Sequence, residues 1–299
     1  MDVAVTGSSG LIGSALRDHL TREGHRVVRV VRGERRERAS DDEIRWDPEN
    51  SRIDTGAFEG LDAVVHLAGE GIGERRWTAA QKQRLRSSRI VGTGLVAEAL
   101  ASCRRPPGAF ISASAIGYYG NTGDDVVDES SPPGHDFLAR LCADWESATA
   151  AAPEAGIRTA IIRTGIVLST RGGALARQLP AFRLGLGGRA GSGRQYQSWI
   201  TLDDEVSAIA FLLGSTISGP VNLTAPSPVT NAEFAATLGS VLHRPTTILP
   251  MIGPRALFGR ELADALLLGG QRVEPAVLLR AGFRFGHDDL ASALSSMLR

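Results

Sequence analysis

The feature that most constrains the fold is a glycine-rich turn near the start of the chain, with the sequence Gly7-Ser8-Ser9-Gly10-Leu11-Ile12-Gly13. A short apolar run at 3–5 precedes this turn, and a helical pattern over about 10–23 follows it. Three glycines at this spacing between a strand and a helix predict a Rossmann-type turn whose backbone amides bind the pyrophosphate of a dinucleotide. The alternative is a turn that needs glycine only for tight packing.

The end of the second predicted strand indicates which dinucleotide the turn binds. NAD-specific sites place a carboxylate there, about 20 residues after the turn, to hold the ribose 2′-hydroxyl. This chain has Val31-Arg32 at that point, followed by Arg35 and Arg36, and a guanidinium pairs well with a 2′-phosphate. The sequence therefore predicts NADP(H) as the cofactor, with a solvated loop arginine as the alternative for Arg32.

Short apolar runs alternate with helical patterns along the first two-thirds of the chain. The runs are nearly continuous in apolar residues, which is typical of strands that a parallel sheet buries on both faces. The predicted strands are 3–5, 27–31, 63–65, 110–111 and 159–162, and the predicted helices are about 10–23, 78–102 and 136–151. This alternation predicts an α/β fold, a Rossmann-type doubly wound parallel sheet with a smaller C-terminal substrate-side module. An antiparallel α+β sheet is the alternative, but tight hairpin turns are missing between the runs.

Loops and later segments complete the predicted organisation. The charged segment 33–43 is predicted to be a loop, and 185–195, with five glycines, a flexible connector or lid that cannot hold a regular element. Thr230 and Glu233 form a capping-box pattern that opens a helix to about 242, and a helical tail follows from about 250. The predicted domains are a dinucleotide-binding domain from 1–165 plus about 200–230 and a smaller module from 166–199 plus about 231–299.

Composition argues against several classes of protein. The 33 basic and 33 acidic residues give a net charge of zero, which disfavours a nucleic-acid surface and a polybasic membrane patch. No apolar stretch approaches the ~20 residues that a membrane span requires. Cys103 and Cys142, with no short Cys/His spacing, predict neither a metal site nor a disulfide framework and favour a reducing compartment. We expect a cytoplasmic protein that acts on a small-molecule substrate, and the sequence leaves its oligomeric state open.

Several motifs in combination resemble a known superfamily. TGSSGLIG at 6–13, DAVVHLAGE at 62–70 and ISASAIGYYG at 111–120 resemble the extended short-chain dehydrogenase/reductases, in the NAD-dependent epimerase/dehydratase group. SGRQYQSWITLDD at 192–204 and GGQRVEP at 269–275 resemble one atypical branch of that group. Members of this branch are labelled epimerase family proteins and carry a short C-terminal domain of unknown function.

The resemblance implies a set of cofactor contacts. It places the segment 66–69 beneath the adenosine and ribose, Arg89 at the opening of a helix near the cofactor, and 163–165 over the nicotinamide. Ser112 and Ala113 would lie by the nicotinamide ribose. His66 itself is more typical of packing than of acid–base chemistry. The predicted cofactor-binding residues are Gly7, Ser8, Ser9, Gly10, Leu11, Ile12, Gly13, Val31, Arg32, Leu67, Ala68, Gly69, Arg89, Ser112, Ala113 and Arg163.

The chain lacks the superfamily's usual catalytic pair, Tyr-x-x-x-Lys, in which the lysine and the cofactor lower the tyrosine pKa. Its only lysine, Lys82, has Thr78 four residues before it. The helix expected to carry the pair has Leu138 and Cys142 at the corresponding spacing. An unassisted tyrosine is only ~0.1% ionised at pH 7, so a tyrosine here is better suited to donating a hydrogen bond than to accepting a proton.

Ser114 and Tyr118 are the predicted catalytic residues. Ser114 corresponds by position to the superfamily's substrate-facing serine, and Tyr118, four residues on, is the nearest phenol and the candidate proton donor. The alternatives are a strand-end cap for Ser114 and a pocket wall for Tyr118. Other polar groups have structural interpretations, namely a solvated loop for Asp124, Asp125, Asp128 and Glu129, a helix cap or hinge anchor for Asp203 and Asp204, and a small core residue for Cys142.

Two functions fit these residues. We favour an NADP(H)-dependent oxidoreductase or epimerase that acts on a small hydroxyl- or carbonyl-bearing substrate, with Ser114 and Tyr118 polarising the oxygen. The alternative, suggested by the missing tyrosine–lysine pair, is a non-catalytic binding protein that senses NADPH. Turnover with any substrate distinguishes the first function from the second.

Overall fold

The computed structural model describes residues 1–33 and 42–298. Arg35 and Arg36, which follow the predicted phosphate-binding arginine, lie outside the described residues. The strands are β1 Asp2–Thr6, β2 Arg26–Arg32, β3 Glu43–Asp47, β4 Arg52–Ile53, β5 Ala63–His66, β6 Ala109–Ala115, β7 Val126–Val127, β8 Arg158–Thr164, β9 Ile166–Leu168, β10 Gly188–Ala190, β11 Tyr196–Gln197, β12 Trp199–Thr201, β13 Gly219–Leu223, β14 Val229–Thr230, β15 Thr247–Leu249 and β16 Arg272–Val273.

The helices surround these strands. They are α1 Leu11–Arg22, α2 Ala79–Ala101, α3 Phe137–Ser147, α4 Ala151–Glu154, α5 Gly173–Arg183, α6 Leu202–Leu213, α7 Asn231–Val241, α8 Ile252–Phe258, α9 Arg260–Leu267, α10 Ala276–Arg280 and α11 Leu290–Leu298. Single turns of 3-10 helix lie at Pro48–Asn50, Thr55–Phe58 and Ile116–Tyr119. The predicted capping box is confirmed at α7, where Thr230 and Glu233 bind each other's backbone amides. Within the described part of the chain, no helix is long and apolar enough to cross a membrane.

The central sheet has eight strands in the order β13-β8-β6-β5-β1-β2-β3-β4. Neighbouring strands run parallel except for β3 and β4, which are antiparallel. The predicted doubly wound parallel sheet is therefore confirmed, and the antiparallel alternative is wrong. The strand order reverses between β1 and β5, which is where open α/β sheets bind ligands, beyond the carboxyl ends of the strands.

Alternation along the strands builds one apolar layer on each side of the sheet. Val3 and Val5 pack with Leu16 of α1 and Ile209 of α6 on one side. Ala4, between them, packs on the other side in a cluster that includes residues of α2 and α4. Because both faces are covered, residues 3–5 of β1 are apolar at consecutive positions, as the sequence pattern indicated.

The structure corrects two predicted loops. Gly188–Ala190 forms β10 and pairs with β15, so the prediction that 185–195 holds no regular element is wrong. A methyl group at Gly188 would lie 1.7 Å from the carbonyl oxygen of Thr247, so the missing side chain is what allows the strands to approach. The charged loop predicted for 33–43 lies outside the described residues at 34–41 and is wrong at Glu43, which begins β3, where its carboxylate pairs with Arg29 and Arg45.

The helix predicted over 136–151 is shorter than expected. α3 ends at Ser147, and α4 starts again at Ala151. Pro153 lies in α4, and a proline inside one continuous helix would clash with the carbonyl four residues earlier. The division of the chain into two domains stays a prediction.

Candidate functional site

The turn between β1 and α1 has no room for side chains at two of its glycines. Gly7 has a φ of 63°, and a methyl group there would lie 2.8 Å from the carbonyl carbon of Leu67. At Gly13 a methyl group would lie 2.2 Å from the carbonyl oxygen of Gly7. Gly7 therefore turns the chain off β1, and Gly13 lets α1 start directly against the turn. Ser8 is buried, whereas Ser9 and Gly10 are exposed and leave the outer side of the turn open.

The N-terminus of α1 offers free amides at this turn. No side chain caps it, and its first turn holds no acidic residue. The amide of Ser14 donates to the Gly10 carbonyl at 2.9 Å. The amides of Leu11, Ile12 and Gly13, which come before Ser14, therefore have no carbonyl acceptor within the helix. Uncapped amides at the positive end of a helix suit a phosphate, and the turn therefore fits a dinucleotide pyrophosphate.

Thr6 holds the loop after β5 against the end of β1. Its Oγ1 accepts hydrogen bonds from the amides of Leu67 at 3.0 Å and Ala68 at 3.1 Å, and lies 2.8 Å from Nδ1 of His66. Because two amides occupy the lone pairs of the Thr6 oxygen, its hydroxyl donates to Nδ1, which assigns the His66 proton to Nε2. Burial lowers the pKa of His66 to about 4. The ring is therefore neutral and part of the core.

Arg89 lies beside this same loop. It stands in the middle of α2 and not at the opening of a helix, so that part of the prediction is wrong. A methyl group at Gly69 would lie 3.6 Å from its Cζ, and its Nη2 donates to the Glu70 carbonyl at 3.0 Å. Its guanidinium also lies over the Trp145 ring, 5.0 Å from the centroid, and burial lowers its pKa. Contact between Arg89 and a cofactor stays a prediction.

The two residues predicted to select the cofactor lie at the end of β2. Val30 is in register with Thr6, so Val31 and Arg32 extend to the same edge of the sheet as the glycine turn. Val31 is half-buried and Arg32 is exposed. The Arg32 guanidinium makes no ion pair with another described residue.

The end of β6 carries the residues predicted to lie by the nicotinamide ribose. Ser112 is in register with His66 and is fully buried, and its hydroxyl has no hydrogen-bond partner among the described residues. Ala113 follows it and is half-buried. Ser114, two residues on, is opposite Arg163 of β8.

Ser114, Glu146 and Arg163 form a buried network. The Ser114 hydroxyl donates to Glu146 Oε1 at 2.7 Å. Arg163 binds the same carboxylate through Nε and Nη2, both at 2.8 Å, and its side chain is only 3% exposed. Burial lowers the pKa of Arg163, but Glu146 outweighs that effect and the net shift is upward. Arg163 is thus committed to an ion pair, and its predicted contact with the cofactor stays a prediction.

Two tyrosines complete the network around Arg163. Nη1 of Arg163 donates to the Tyr119 hydroxyl at 2.9 Å, which in turn donates to Asn222 Oδ1 at 2.7 Å. Burial raises the pKa of Tyr119 to about 12. Arg163 meets Tyr118 by its ring face instead, with Cζ 3.5 Å from the centroid. The Tyr119 hydroxyl therefore has a structural role in the network, whereas the hydroxyl of half-buried Tyr118 makes no hydrogen bond with Arg163.

The structure also shows what replaces the tyrosine–lysine pair. Leu138 and Cys142 lie on α3, close to Gly117 in the 3-10 turn that follows β6. Burial, followed by the nearby Glu146 carboxylate, raises the pKa of the Cys142 thiol to about 12. An inert thiol and an ion pair therefore stand beside Ser114. Within 1–33 and 42–298, no group of three or more His, Cys, Asp or Glu side chains could hold a metal ion.

A buried acid lies behind the site on α6. Glu205 is fully buried, its Oε1 accepts a hydrogen bond from the Thr164 hydroxyl at 2.7 Å, and its Oε2 has no partner among the described residues. Burial raises the pKa of Glu205 to about 8. The carboxyl is therefore protonated near neutral pH.

Stability is expected to fall as the pH rises towards 8, because folded Glu205 keeps its proton up to a pKa of about 8 and the unfolded side chain loses it near 4.5. Between about pH 5.5 and about pH 7 the free energy of unfolding is expected to fall by about 2 kcal/mol. Glu205→Gln should remove this slope in urea unfolding at a series of pH values. Glu98→Gln, at an exposed position of α2, should keep it. An unchanged slope in Glu205→Gln would refute the assignment.

Sequence reasoning missed several residues of the network. Glu146 lies one helical turn after Cys142, on the helix that was expected to carry the catalytic pair. That position was the only sequence signal that Glu146 belongs to the site. The predicted solvated acidic loop is wrong at Glu129, which is buried and accepts hydrogen bonds from the amides of Asn222 and Val277. Asp203 and Asp204 were predicted as a helix cap or hinge anchor. The helix cap is wrong, because Thr201 caps α6, whereas Asp204 accepts hydrogen bonds from the tail amides at 286–287.

Comparison with known proteins agrees with this geometry. Residues 3–223 match the NAD dependent epimerase/dehydratase family, and residues 249–297 match a domain of unknown function, DUF1731. An epimerase family protein of Mycobacterium tuberculosis is 51% identical over 294 residues, which cover 98% of this chain and 96% of that protein. Epimerase family protein SDR39U1 of Homo sapiens is 37% identical over 303 residues, which cover 100% of both chains.

A solved structure extends the similarity to the fold. The crystal structure of human epimerase family protein SDR39U1 (isoform 2) with NADPH has a TM-score of 0.90 and 35% sequence identity, and the match covers 99% of each chain. The similarity therefore includes both the Rossmann-type sheet and the C-terminal segment. By sequence and by fold, this chain belongs to the NAD dependent epimerase/dehydratase family.

Proposed function

We propose that this protein binds NADP(H) at the glycine turn and acts as an oxidoreductase or epimerase on a small substrate that bears a hydroxyl or carbonyl group. The observation that carries this proposal is the uncapped N-terminus of α1 against a turn that only glycine fits, at the switch point of the sheet. The human relative was crystallised with NADPH, which supports the same ligand class here.

The preference for NADP(H) over NAD(H) rests on Arg32. Arg32 is exposed and is the last residue of β2, at the same edge of the sheet as the glycine turn. NAD-specific sites have a carboxylate at this position. A guanidinium in this place attracts the 2′-phosphate that distinguishes NADP(H).

Arg32→Ala is expected to weaken NADPH binding by about 10-fold or more, since a hydrogen bond to a charged phosphate contributes roughly 1.5–3 kcal/mol. NADH binding should change little, because NADH has no 2′-phosphate. Calorimetric titration of both nucleotides measures the two effects. Arg22→Ala, an exposed arginine at the far end of α1, is the matched control. Equal weakening of NADPH and NADH would contradict the role of Arg32.

On the substrate side, Ser114 and Tyr118 are the proposed catalytic residues. When bound, the nicotinamide supplies or accepts a hydride. The Ser114 hydroxyl donates to Glu146, so the lone pairs of its oxygen are left to accept a hydrogen bond from a substrate hydroxyl. Tyr118 contacts Arg163 by its ring, which leaves its phenol to donate to the substrate oxygen. Turnover is tested by the near-ultraviolet absorbance of NADPH across a panel of aldehydes, ketones and nucleotide sugars.

A second candidate function is NADPH sensing without chemistry. The network beside Ser114 favours it, because Leu138 and the inert Cys142 thiol take the place of the tyrosine–lysine pair and an ion pair holds the Ser114 hydroxyl. A sensor should bind NADPH equally well after Ser114→Ala and Tyr118→Phe, and the bound nucleotide should not change redox state. Substrate-dependent oxidation of NADPH by the unaltered protein excludes this alternative.

The proposed setting is the cytoplasm, with a small molecule as the partner and neither nucleic acid nor membrane. Both cysteines are unpaired and buried, which suits a reducing compartment. The zero net charge likewise favours a small ligand over a polyanion.

A further inference from the structure

The C-terminal segment that matches a domain of unknown function reaches the candidate site through residues 269–277, named here the strap. The strap contains β16 and the start of α10. It runs between the loop that follows Tyr119 and the strands at 196–201. Its contacts to both sides are specific hydrogen bonds.

On one side, the strap is bonded to the loop after Tyr119. The amide of Thr122 donates to the Gly270 carbonyl at 3.1 Å, and the amide of Arg272 donates to Thr122 Oγ1 at 3.1 Å. The Gln271 side chain donates to the Gly120 carbonyl at 2.7 Å. β16 then pairs in parallel with β7, which continues the attachment.

On its other side, the strap is fixed to the strands at 196–201. The Ser198 hydroxyl donates to the Gln271 carbonyl at 2.8 Å and accepts from the amide of Val273 at 2.9 Å. A methyl group at Gly270 would lie 2.3 Å from the carbonyl oxygen of Tyr196. The strap is thus held on both sides with no room for a side chain at Gly270.

One side chain connects the strap to the ion pair beside Ser114. Asn222 donates through Nδ2 to the carbonyl of Glu274 at 2.9 Å and accepts the Tyr119 hydroxyl at 2.7 Å. Tyr119 accepts from Arg163, which binds Glu146. A displacement of the strap would therefore move the Tyr118–Tyr119 turn and the Arg163 guanidinium that stacks on the Tyr118 ring.

We infer that the strap positions the Tyr118–Tyr119 turn and, through Asn222, the Arg163 guanidinium, so that the domain of unknown function completes the substrate side of the site. Gln271, Thr122 and Asn222 are positioning residues, because they act through Tyr119 and Arg163. The inference rests on the proposed function, in which a substrate meets Ser114 and Tyr118.

The three tyrosines of the chain, Tyr118, Tyr119 and Tyr196, make this inference measurable by fluorine NMR of the full chain with fluorotyrosine incorporated. Each resonance is assigned by a tyrosine-to-phenylalanine variant. Gln271→Ala removes the side-chain bond to Gly120, and we expect the Tyr118 and Tyr119 resonances to shift by more than their line widths. Thr122→Val removes the acceptor for Arg272 and should shift the same two resonances.

Gln195→Ala is the matched control. Gln195 also donates to two backbone carbonyls, those of Ala190 and Leu267, but it does not contact the loop after Tyr119. It should leave the Tyr118 and Tyr119 resonances in place. Spectra are recorded with and without NADPH, so that failure of cofactor binding counts against the proposed function alone. Unmoved Tyr118 and Tyr119 resonances in folded Gln271→Ala or Thr122→Val protein would overturn the positioning role.

Discussion

Replacing Gly13 by alanine is expected to weaken NADPH binding by about 100-fold or more, a loss of about 2.7 kcal/mol. The added methyl group would lie 2.2 Å from the carbonyl oxygen of Gly7, so α1 has to move away from the turn. Because the amides at the start of α1 are the proposed phosphate donors, this movement separates them from the ligand. Calorimetric titration with NADPH measures the loss.

The matched control for this substitution is Gly94→Ala. Gly94 lies inside α2, where a methyl group would be 4.0 Å from the carbonyl oxygen of Ala148 and meets no strain. Alanine is favoured over glycine within a helix by about 1 kcal/mol, so this variant should be at least as stable as the parent protein and bind NADPH unchanged. Parental NADPH affinity in a folded Gly13→Ala protein would show that the turn does not hold the cofactor.

Removing the Glu146 carboxylate is expected to lower the free energy of unfolding by about 3–5 kcal/mol. Arg163 is 3% exposed, and Glu146→Ala would leave its guanidinium buried without the two hydrogen bonds that compensate its charge. The Ser114 hydroxyl would lose its acceptor as well. Urea unfolding of the purified variant measures the change.

Asp144→Ala provides the comparison on the same helix. Asp144 also pairs with an arginine, Arg86 at 2.7 Å, but both side chains are well exposed at 46% and 39%. An exposed pair of this kind contributes at most about 1 kcal/mol, since water solvates both partners when the pair breaks. If Glu146→Ala proved no more destabilising than Asp144→Ala, the Glu146–Arg163 pair would not be the buried anchor of the site.

Much of the fold was predictable because its signals are local. Continuous apolar runs predicted the buried strands, and three glycines between a strand and a helix predicted the turn, since both patterns follow from backbone geometry. The capping box at Thr230 is local too, as its two partners are three residues apart. The two wrong loop predictions came from composition. The charge of Glu43 is compensated by Arg29 on the neighbouring strand and Arg45 on its own strand, and Gly188 has a partner strand far along the chain.

The glycine turn was easier to predict than the buried network around Arg163 for the same reason. The glycine turn and Arg32 lie within about one βαβ unit, whose geometry is general. Arg163, by contrast, binds Glu146, a pairing between a strand and a helix that no spacing in the sequence indicates. Its contact with the nicotinamide stays a prediction. Glu129 likewise looked like part of a charged loop, and only the fold brings it to buried amides.

Titration of NADPH and NADH into the purified, unaltered protein tests the central claim most directly. We predict saturable binding of NADPH by a single site per chain, with NADH at least about 10-fold weaker, which corresponds to about 1.4 kcal/mol. No detectable heat or thermal stabilisation with either nucleotide would contradict a dinucleotide site at the first turn, and tighter binding of NADH would contradict the assignment of Arg32.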